Sequence, residues 1–277
     1  MRASRRFVAW VTLLWMAGSG CASSRGATPS PPLAAVPPAA TPTPTAVVPP
    51  TVTPAPAANP APSSPPTPPP LPRDIRWVRT SAEYRALATQ VYRAAASRLP
   101  ALSNGLAPGS WGVILDADET VFDNSEYQRR RAEVDSSYTR SSWVSWCNER
   151  AAGAVPGAVE FMNTVHRLKG RVAIVTNRVE EVCAATRANL QQLGIAPDIL
   201  LCQAPGEGDK NPRFQRVQRG TAAAGIPPLK IVEWIGDNIQ DFPDLTQASR
   251  NDSTAIAHFG QRYFVVPNPM YGSWERR

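Results

Sequence analysis

Histidine and cysteine, which build zinc and many redox centres, are scarce in this sequence. The 277 residues contain two histidines and four cysteines. No Cys-x-x-Cys pair and no Cys/His ligand spacing occurs, which argues against a zinc site. Apart from Cys21 near the amino terminus, Cys147, Cys183 and Cys202 allow at most one disulfide and one free thiol. Burial of these cysteines as free thiols is the alternative.

The amino-terminal region also lacks a hydrophobic run long enough to span a bilayer as a permanent helix. The short run FVAWVTLLWMA follows a basic start and precedes small residues around Cys21, the layout of a signal peptide over residues 1–21. Gly18-Ser19-Gly20-Cys21 partly matches the lipid-attachment motif of exported lipoproteins, which usually has Leu at the position of Gly18. We therefore expect export to the cell envelope, as an outer-membrane lipoprotein anchored through a lipid on Cys21. Ordinary cleavage, with a periplasmic or secreted product, is the alternative.

Charged residues are missing between Gly26 and Pro72. Residues 22–72 consist mainly of Pro, Ala, Thr, Ser and Val, and they hold more than half of the 30 prolines. Such a segment cannot bury enough apolar surface to offset chain entropy, so we predict an extended, disordered tether. An interaction tail that a partner binds is the alternative reading of this composition.

Acidic residues are absent before Asp74, and four arginines precede residue 73. Residues 73–277 therefore carry only +3 of the formal net charge of +7. This mild excess does not indicate binding to duplex nucleic acid, and it is compatible with a site that receives small anions.

Residues 73–277 are long enough for one α/β domain, and apolar stretches of strand length alternate in them with helical stretches. We predict strands at Gly112–Ala117, Arg171–Thr176, Asp198–Cys202, Ile231–Ile235 and Arg262–Val266. We predict helices at Ser81–Leu99, Ser141–Ala151, Pro156–Lys169, Glu180–Leu193, Pro212–Ala224 and around Asp241–Ala248. The alternation predicts a Rossmann-like, doubly wound and mostly parallel sheet, in which ligands bind beyond the carboxyl ends of the strands.

Carboxylates follow two of the predicted strands. Asp116 and Asp118 end the first strand, and Asp237 and Asp241 follow the fourth. If Asp116, Asp118 and Asp237 converge, a cation must offset their mutual repulsion. A hard, oxygen-rich set without His or Cys suits Mg²⁺, and Asp241 could hold a metal-bound water.

The same strand ends carry groups suited to phosphoryl transfer. Asp116 can act as a nucleophile that forms an aspartyl-phosphate, and Asp118, two residues on and on the same side, can act as general acid. Thr176 offers a hydroxyl and Asn177 a backbone N–H at the end of the second strand. Lys210, ahead of a predicted helix, is a cationic clamp for the phosphoryl oxygens or, alternatively, an ordinary surface lysine.

The strings DADET, VTNR, GDKNPRF and GDNIQDF, in this order and spacing, resemble the four motifs of the haloacid dehalogenase (HAD) superfamily. The longer strings ILDADETVFDNSEY, AVPGAVEFMN, IGDNIQDF and VPNPMYGSWE are similar to the class C bacterial acid phosphatases. The resemblance extends from about Arg79 to the carboxyl terminus. It implies a secreted or lipid-anchored, magnesium-dependent phosphomonoesterase, a type that often prefers nucleotides.

The resemblance implies a role for each of the site residues. Asp116 matches the nucleophile, and Asp118 matches the acid/base that also binds Mg²⁺ through its backbone carbonyl. Thr176 and Asn177 match the phosphate-binding second motif, and Lys210 matches the third. The fourth motif supplies two further residues, a metal ligand at Asp237 and an outer-shell residue at Asp241.

In this family an insertion after the first motif and the carboxyl-terminal segment cover the mouth of the site, which implies a small, mainly helical cap at about residues 124–155. The aromatic residues of these segments that we consider as substrate contacts are Tyr127, Trp143, Trp146 and Tyr271, and Tyr138 lies in the same insertion. Trp143 and Trp146 share a face of a predicted helix and could stack a nucleobase or an aryl group. Docking of the cap helix onto the core is the alternative role for both tryptophans.

Taken together, these observations predict an acid phosphatase that hydrolyses nucleoside monophosphates or aryl phosphates. The alternatives are a non-catalytic surface lipoprotein that keeps the fold for binding, and an intracellular-type phosphatase for sugars or polynucleotide ends. Neither His166 nor His258 lies in an Arg-His-Gly context, so a phosphohistidine enzyme is not supported. The expected partner is a small phosphomonoester, besides the membrane, with no nucleic acid duplex, and the sequence leaves a homodimer open.

Overall fold

The computed structural model of the chain describes residues 70–275. In this range the β-strands are β1 (Trp111–Leu115), β2 (Phe122–Asp123), β3 (Gly153–Ala154), β4 (Arg171–Val179), β5 (Ile199–Gln203), β6 (Lys230–Gly236) and β7 (Tyr263–Val265). The α-helices are α1 (Arg73–Thr80), α2 (Ala82–Leu102), α3 (Ser125–Glu133), α4 (Arg140–Glu149), α5 (Ala158–Arg167), α6 (Cys183–Gln192), α7 (Asn211–Gln218) and α8 (Ser253–Ile256). The signal peptide and nearly all of the tether predicted from the sequence lie outside the described residues.

Five strands form one parallel sheet in the order β5-β4-β1-β6-β7. The chain builds β1, β4 and β5 in one direction across the sheet and then returns to add β6 and β7 on the other side of β1. The predicted doubly wound α/β fold is therefore confirmed. Because β1 pairs with both β4 and β6, the carboxyl ends of these three strands lie side by side, at the edge where such sheets bind ligands.

The hydrophobic core lies on both faces of this sheet. Val113 and Leu115 of β1 belong to the larger cluster, which includes side chains of α2, α5 and α6. Ile114 points to the opposite face and belongs to a second cluster, which includes Phe214 of α7 and Trp234 of β6. Burial on both faces explains why the strands of this sheet read as continuous apolar runs.

Two predicted helices differ from the structure. The helix predicted at 212–224 ends at Gln218, because Gly220 adopts a left-handed conformation with φ +71°. The helix predicted around 241–248 does not form, since Asp244 takes φ +58° and interrupts it. Short 3₁₀ turns at 239–241 and 247–251 stand in its place.

An insertion follows β1 and contains β2, α3, α4 and β3. The two short strands pair with each other in antiparallel fashion, with Phe122 opposite Ala154. Helix α1 packs against α3, and its buried Ile75 and Val78 form a cluster with Tyr84 and Met270 near the carboxyl end of the described chain. The sequence analysis did not predict β2, β3, α1, α3 or α8.

The cysteines adopt one of the arrangements that the sequence allowed. Cys183 at the start of α6 and Cys202 in β5 form a disulfide, whereas Cys147 is a buried free thiol. Burial raises the pKa of the Cys147 thiol to about 12, so this thiol is protonated at neutral pH. Among residues 70–275 there is no helix with the length and apolar character needed to cross a membrane.

Candidate active site

Three carboxylates meet at the carboxyl ends of β1 and β6. Oxygen atoms of Asp116, Asp237 and Asp241 all lie within 4.8 Å of one another. The backbone N–H of Asp116 donates to the carbonyl oxygen of Ile235 (3.0 Å), which fixes the end of β1 against β6. Gly236 has no room for a side chain, because a Cβ there would overlap the Asp241 side chain. The side chain of Asp118 is not part of this cluster.

Lys210 is the cation of this cluster. Its Nζ donates to Asp116 Oδ1 and to Asp241 Oδ1 (2.7 Å), and its side chain is buried, so Lys210 is not an ordinary surface lysine. Burial alone would lower the pKa of Lys210, but the two carboxylates raise it above its usual value. Lys210 is therefore a fixed positive charge beside Asp116.

One lysine does not balance three carboxylates. Burial raises the pKa of Asp116 to about 7, and Lys210 offsets this rise only in part, while the charges of Asp241 and Asp118 add to it. Desolvation, followed by Asp241 and Asp116, raises the pKa of Asp237 well above its usual value. A divalent cation would neutralise the remaining charge of this oxygen-only set, so the residues present fit a divalent metal site.

Polar neighbours hold Asp237 in place. The Thr120 hydroxyl donates to Asp237 Oδ1 (3.2 Å), and Asn268 Nδ2 donates to Asp237 Oδ2 (2.9 Å). Asn268 follows β7, so residues after three strands, β1, β6 and β7, contribute to this set. Such outer partners orient the oxygens of a metal ligand.

The second predicted motif lies at the end of β4. Asn177 lines the cleft described below, whereas Thr176 is fully buried and its Oγ1 accepts the backbone N–H of Arg178 (3.1 Å). Arg213 of α7 is also buried and donates to the Thr176 carbonyl and to Asn177 Oδ1. The sequence analysis missed Arg213, because only its place in the string GDKNPRF beside Lys210 pointed to the site.

Asp118 lies beyond β1 in a separate polar network. Arg178 Nε and Asn124 Nδ2 both donate to Asp118 Oδ1, at 2.8 and 2.9 Å. Trp146 Nε1 in turn donates to Asn124 Oδ1 (2.8 Å). Arg178 and Asn124 were not among the predicted site residues, although both lie inside the strings that carry the family resemblance.

A cleft of about 1200 Å³ opens over these groups. It is lined by Asp116, Asp118, Asn177, Lys210, Asp237 and Asp241 at its base and by residues of the insertion and the carboxyl-terminal segment at its sides. Its aromatic lining consists of Tyr138, Trp143 and Tyr271.

Two of the aromatic residues considered as substrate contacts do not line this cleft. Tyr127 and Trp146 are buried, and the Tyr127 ring lies 5.0 Å from the Trp143 ring and 6.2 Å from the Trp146 ring. Docking of the cap helix, the alternative role for the two tryptophans, fits the buried Trp146, whereas Trp143 borders the cleft. Tyr138 is 60% exposed and borders the cleft, although it was not among the predicted contacts.

Known proteins that resemble this chain are acid phosphatases. The family described as HAD superfamily, subfamily IIIB (Acid phosphatase) matches residues 70–274. The class C acid phosphatase from Bacillus anthracis is similar in structure, with a TM-score of 0.65 and 30% sequence identity over 73% of this chain and 85% of that chain. The structure of that Bacillus anthracis enzyme with tungstate bound gives the same values. The chain therefore belongs to the acid phosphatases of HAD subfamily IIIB and is a phosphomonoesterase.

Proposed function

We propose that this enzyme hydrolyses phosphomonoesters, preferably nucleoside monophosphates or aryl phosphates, through an aspartyl-phosphate on Asp116 with Mg²⁺ as cofactor. One observation carries the proposal. The Asp116 carboxylate lies at the base of the cleft, next to Lys210 and within reach of Asp237 and Asp241. A nucleophile, a cation and metal-binding oxygens at one point are the groups that phosphoryl transfer requires.

The first half of the reaction transfers the phosphoryl group to the enzyme. A carboxylate oxygen of Asp116 attacks phosphorus, the bond from phosphorus to the leaving oxygen breaks, and Asp118 gives its proton to that oxygen. In the second half, water attacks the phosphorus of the aspartyl-phosphate, Asp118 takes up a proton of the water, and the bond from phosphorus to the Asp116 oxygen breaks, which frees the Asp116 carboxylate and inorganic phosphate. Both aspartates line the cleft, as these steps require.

The phosphoryl oxygens need donors in addition to the nucleophile. Lys210 is buried beside Asp116 and can donate to an oxygen of the phosphoryl group. Asn177 lines the cleft at the end of β4, and Arg213 holds its side-chain oxygen. The Thr176 hydroxyl oxygen accepts the backbone N–H of Arg178, so in this geometry Thr176 stabilises the backbone of the second motif and does not face the cleft.

Asp116 and Asp237, with the backbone carbonyl of Asp118, would hold the Mg²⁺, and Asp241 would orient a bound water. The chemistry that such an ion supplies when bound is neutralisation of negative charge on the phosphoryl oxygens. An oxygen-only donor set favours Mg²⁺ over the metals that prefer nitrogen or sulfur. The excess of carboxylates over lysine supports a divalent charge at this point.

The shape of the cleft supports a leaving group with a planar ring. Its volume of about 1200 Å³ is ample for a nucleotide, and Tyr138, Trp143 and Tyr271 offer aromatic faces at its sides. Stacking on such faces favours nucleobases and aryl groups over small alkyl groups.

A phosphate-release assay tests the proposal. We expect activity with nucleoside monophosphates and aryl phosphates, loss of that activity in EDTA, and recovery on addition of Mg²⁺. Asp116→Asn should be inactive, since the amide is not a nucleophile. Activity that survives chelation, or that persists in Asp116→Asn, contradicts the mechanism, and a lack of any turnover favours the non-catalytic alternative.

We also propose that the enzyme is exported and lipid-anchored through Cys21, which lies outside the described residues. The Cys183–Cys202 disulfide supports an oxidising compartment, since structural disulfides are rare in the cytosol of most organisms. Labelling of cells with palmitate, with Cys21→Ser as control, tests the anchor. Equal labelling of both proteins contradicts it.

A further inference from the structure

A buried polar network holds the side chain of Asp118, and most of its members take no part in the site proposed for phosphate and metal. Arg178 is 1% exposed, and Asn124 and Thr186 are fully buried. A buried ion pair seldom stabilises a protein more than apolar side chains of the same shape would, so the pair of Arg178 with Asp118 calls for an explanation beyond packing.

We propose that Arg178 and Asn124 are positioning residues, which hold Asp118 so that one carboxyl oxygen faces the leaving group and exchanges the proton. Asn124 also connects this carboxyl group to helix α4 of the insertion. The inference rests on the proposed role of Asp118 as general acid.

The hydrogen bonds distinguish the two oxygens of Asp118. Arg178 Nε (2.8 Å), Arg178 Nη2 (2.8 Å) and Asn124 Nδ2 (2.9 Å) all contact Oδ1. Oδ2 accepts no hydrogen bond from residues 70–275, and Asp118 lines the cleft. The network therefore fixes Oδ1 and leaves Oδ2 as the oxygen that can carry a proton to the substrate.

The guanidinium group of Arg178 has little freedom to move. Its Cζ lies 4.4 Å from the centroid of the Phe122 ring and 5.4 Å from that of the Trp143 ring. Nη1 donates to Thr186 Oγ1 (3.3 Å) and Nη2 donates to Asn124 Oδ1 (3.1 Å). A planar donor held on two aromatic faces presents a fixed pair of N–H groups to Asp118, as a lysine could not.

Two hydrogen-bond donors, one of them on helix α4, determine the orientation of the Asn124 amide. Its Oδ1 accepts from Trp146 Nε1 (2.8 Å) and from Arg178 Nη2, both of which are donors only. These two donors require the oxygen on their side, so Nδ2 is turned to Asp118. Trp146 of α4 thereby acts on Asp118 through a single intervening side chain.

Dependence on the leaving group tests this role. Protonation of the leaving oxygen matters for an alkyl phosphate and hardly for 4-nitrophenyl phosphate, whose phenolate leaves readily. Because general acid catalysis contributes about 10²- to 10⁴-fold, we expect Arg178→Lys and Asn124→Ala to lower kcat/KM for ethyl phosphate by at least about 10²-fold. For 4-nitrophenyl phosphate we expect less than about a tenfold loss, since its first step needs little proton transfer. An equal loss with both substrates would show a merely structural role and overturn the proposal.

Two further variants keep the test decisive if Arg178→Lys fails to fold. Trp146→Phe keeps an aromatic ring and removes the N–H donor to Asn124, so we expect the same direction of change, by about fivefold, the value of one hydrogen bond. Asn189→Ala is the matched control, because it removes a buried amide whose hydrogen bonds go to the backbone of Ala152 and not to the network around Asp118. It should leave unchanged the ratio of kcat/KM for 4-nitrophenyl phosphate to kcat/KM for ethyl phosphate. A change in this ratio as large as that of Asn124→Ala would count against the proposal.

Asp118→Asn separates this inference from the function on which it rests. If Asp118→Asn leaves the ratio unchanged, Asp118 is not the general acid and the proposed mechanism is wrong. If Asp118→Asn raises the ratio while Arg178→Lys, Asn124→Ala and Trp146→Phe do not, only the positioning role is wrong.

Discussion

Glu233 lies in the middle of β6 with its side chain fully buried, and within the described residues neither of its carboxylate oxygens has a hydrogen-bond partner. A shift in the pairing of β1 and β6 places it opposite Val113. Burial raises the pKa of Glu233 to about 8, and the charges of Arg98 and Arg262 lower it by less. The native protein therefore holds a proton on Glu233 at neutral pH that the unfolded chain releases.

The sign of the resulting pH dependence follows from this difference. Below the pKa of about 4.5 that applies to the unfolded chain, both states hold the proton, and the contribution of Glu233 to the unfolding free energy is at its most favourable. As the pH rises towards 8, the unfolded chain releases the proton and the native protein keeps it, so the unfolding free energy falls. Glu233→Gln keeps the shape and removes the titration. We expect the variant to gain about 3 to 4 kcal/mol of unfolding free energy relative to the wild type between pH 5 and pH 8.

Urea titrations of both proteins at pH 5, 6.5 and 8, with EDTA present throughout, measure this difference. Glu160→Gln is the matched control, because it removes an exposed carboxylate that forms no ion pair within residues 70–275. Its difference from the wild type should be nearly the same at the three pH values. A constant difference for Glu233→Gln as well would refute the reasoning, since Glu233 would then be ionised in the native state.

Three further predictions concern the disulfide, the cationic clamp and a crowded turn. Replacing Cys183 and Cys202 by serine should lower the unfolding free energy in urea titrations by about 3 kcal/mol, given their separation of 19 residues; an unchanged midpoint would contradict this. Lys210→Met should lower kcat for phosphate release by about 10²- to 10³-fold, and full activity would remove Lys210 from the mechanism. Gly157→Ala should lower stability by about 1 to 3 kcal/mol in thermal melts, because its Cβ would lie 2.9 Å from the nearest side-chain carbon at φ +95°. Gly153→Ala, with open space around its Cβ, is the control and should change the melting temperature far less.

The sheet and the base of the site could be predicted from the sequence because they depend on local patterns. Each of the strands β1, β4 and β6 contains a short apolar run that leads directly into polar residues. In a parallel sheet, neighbouring strands bring such residues together whatever the loops do. Asp116 and Asp237 therefore lie close together, as the strand ends predict. The side chain of Asp118, in contrast, lies outside their cluster, and Lys210 reaches the cluster from the loop between β5 and α7.

The missing elements leave weak traces in the sequence. The strands β2 and β3 have two residues each, too few to show an alternating pattern. Helix α3 is the charged segment SEYQRRRAE with only Ser125 and Tyr127 buried, so it has no apolar period. Arg178 contacts Asp118 across 60 residues of sequence, a pairing that only the tertiary packing determines.

Helix α1 has a consequence for limited proteolysis of the protein. Its Ile75 and Val78 support Met270, and the neighbouring Tyr271 forms part of the cleft wall. Cleavage within the proline-rich segment would leave α1 in place and the cleft supported as before. Cleavage after Thr80 would remove the packing of α1 against Met270, so the remaining fragment would bind its substrates less tightly even with every catalytic group retained.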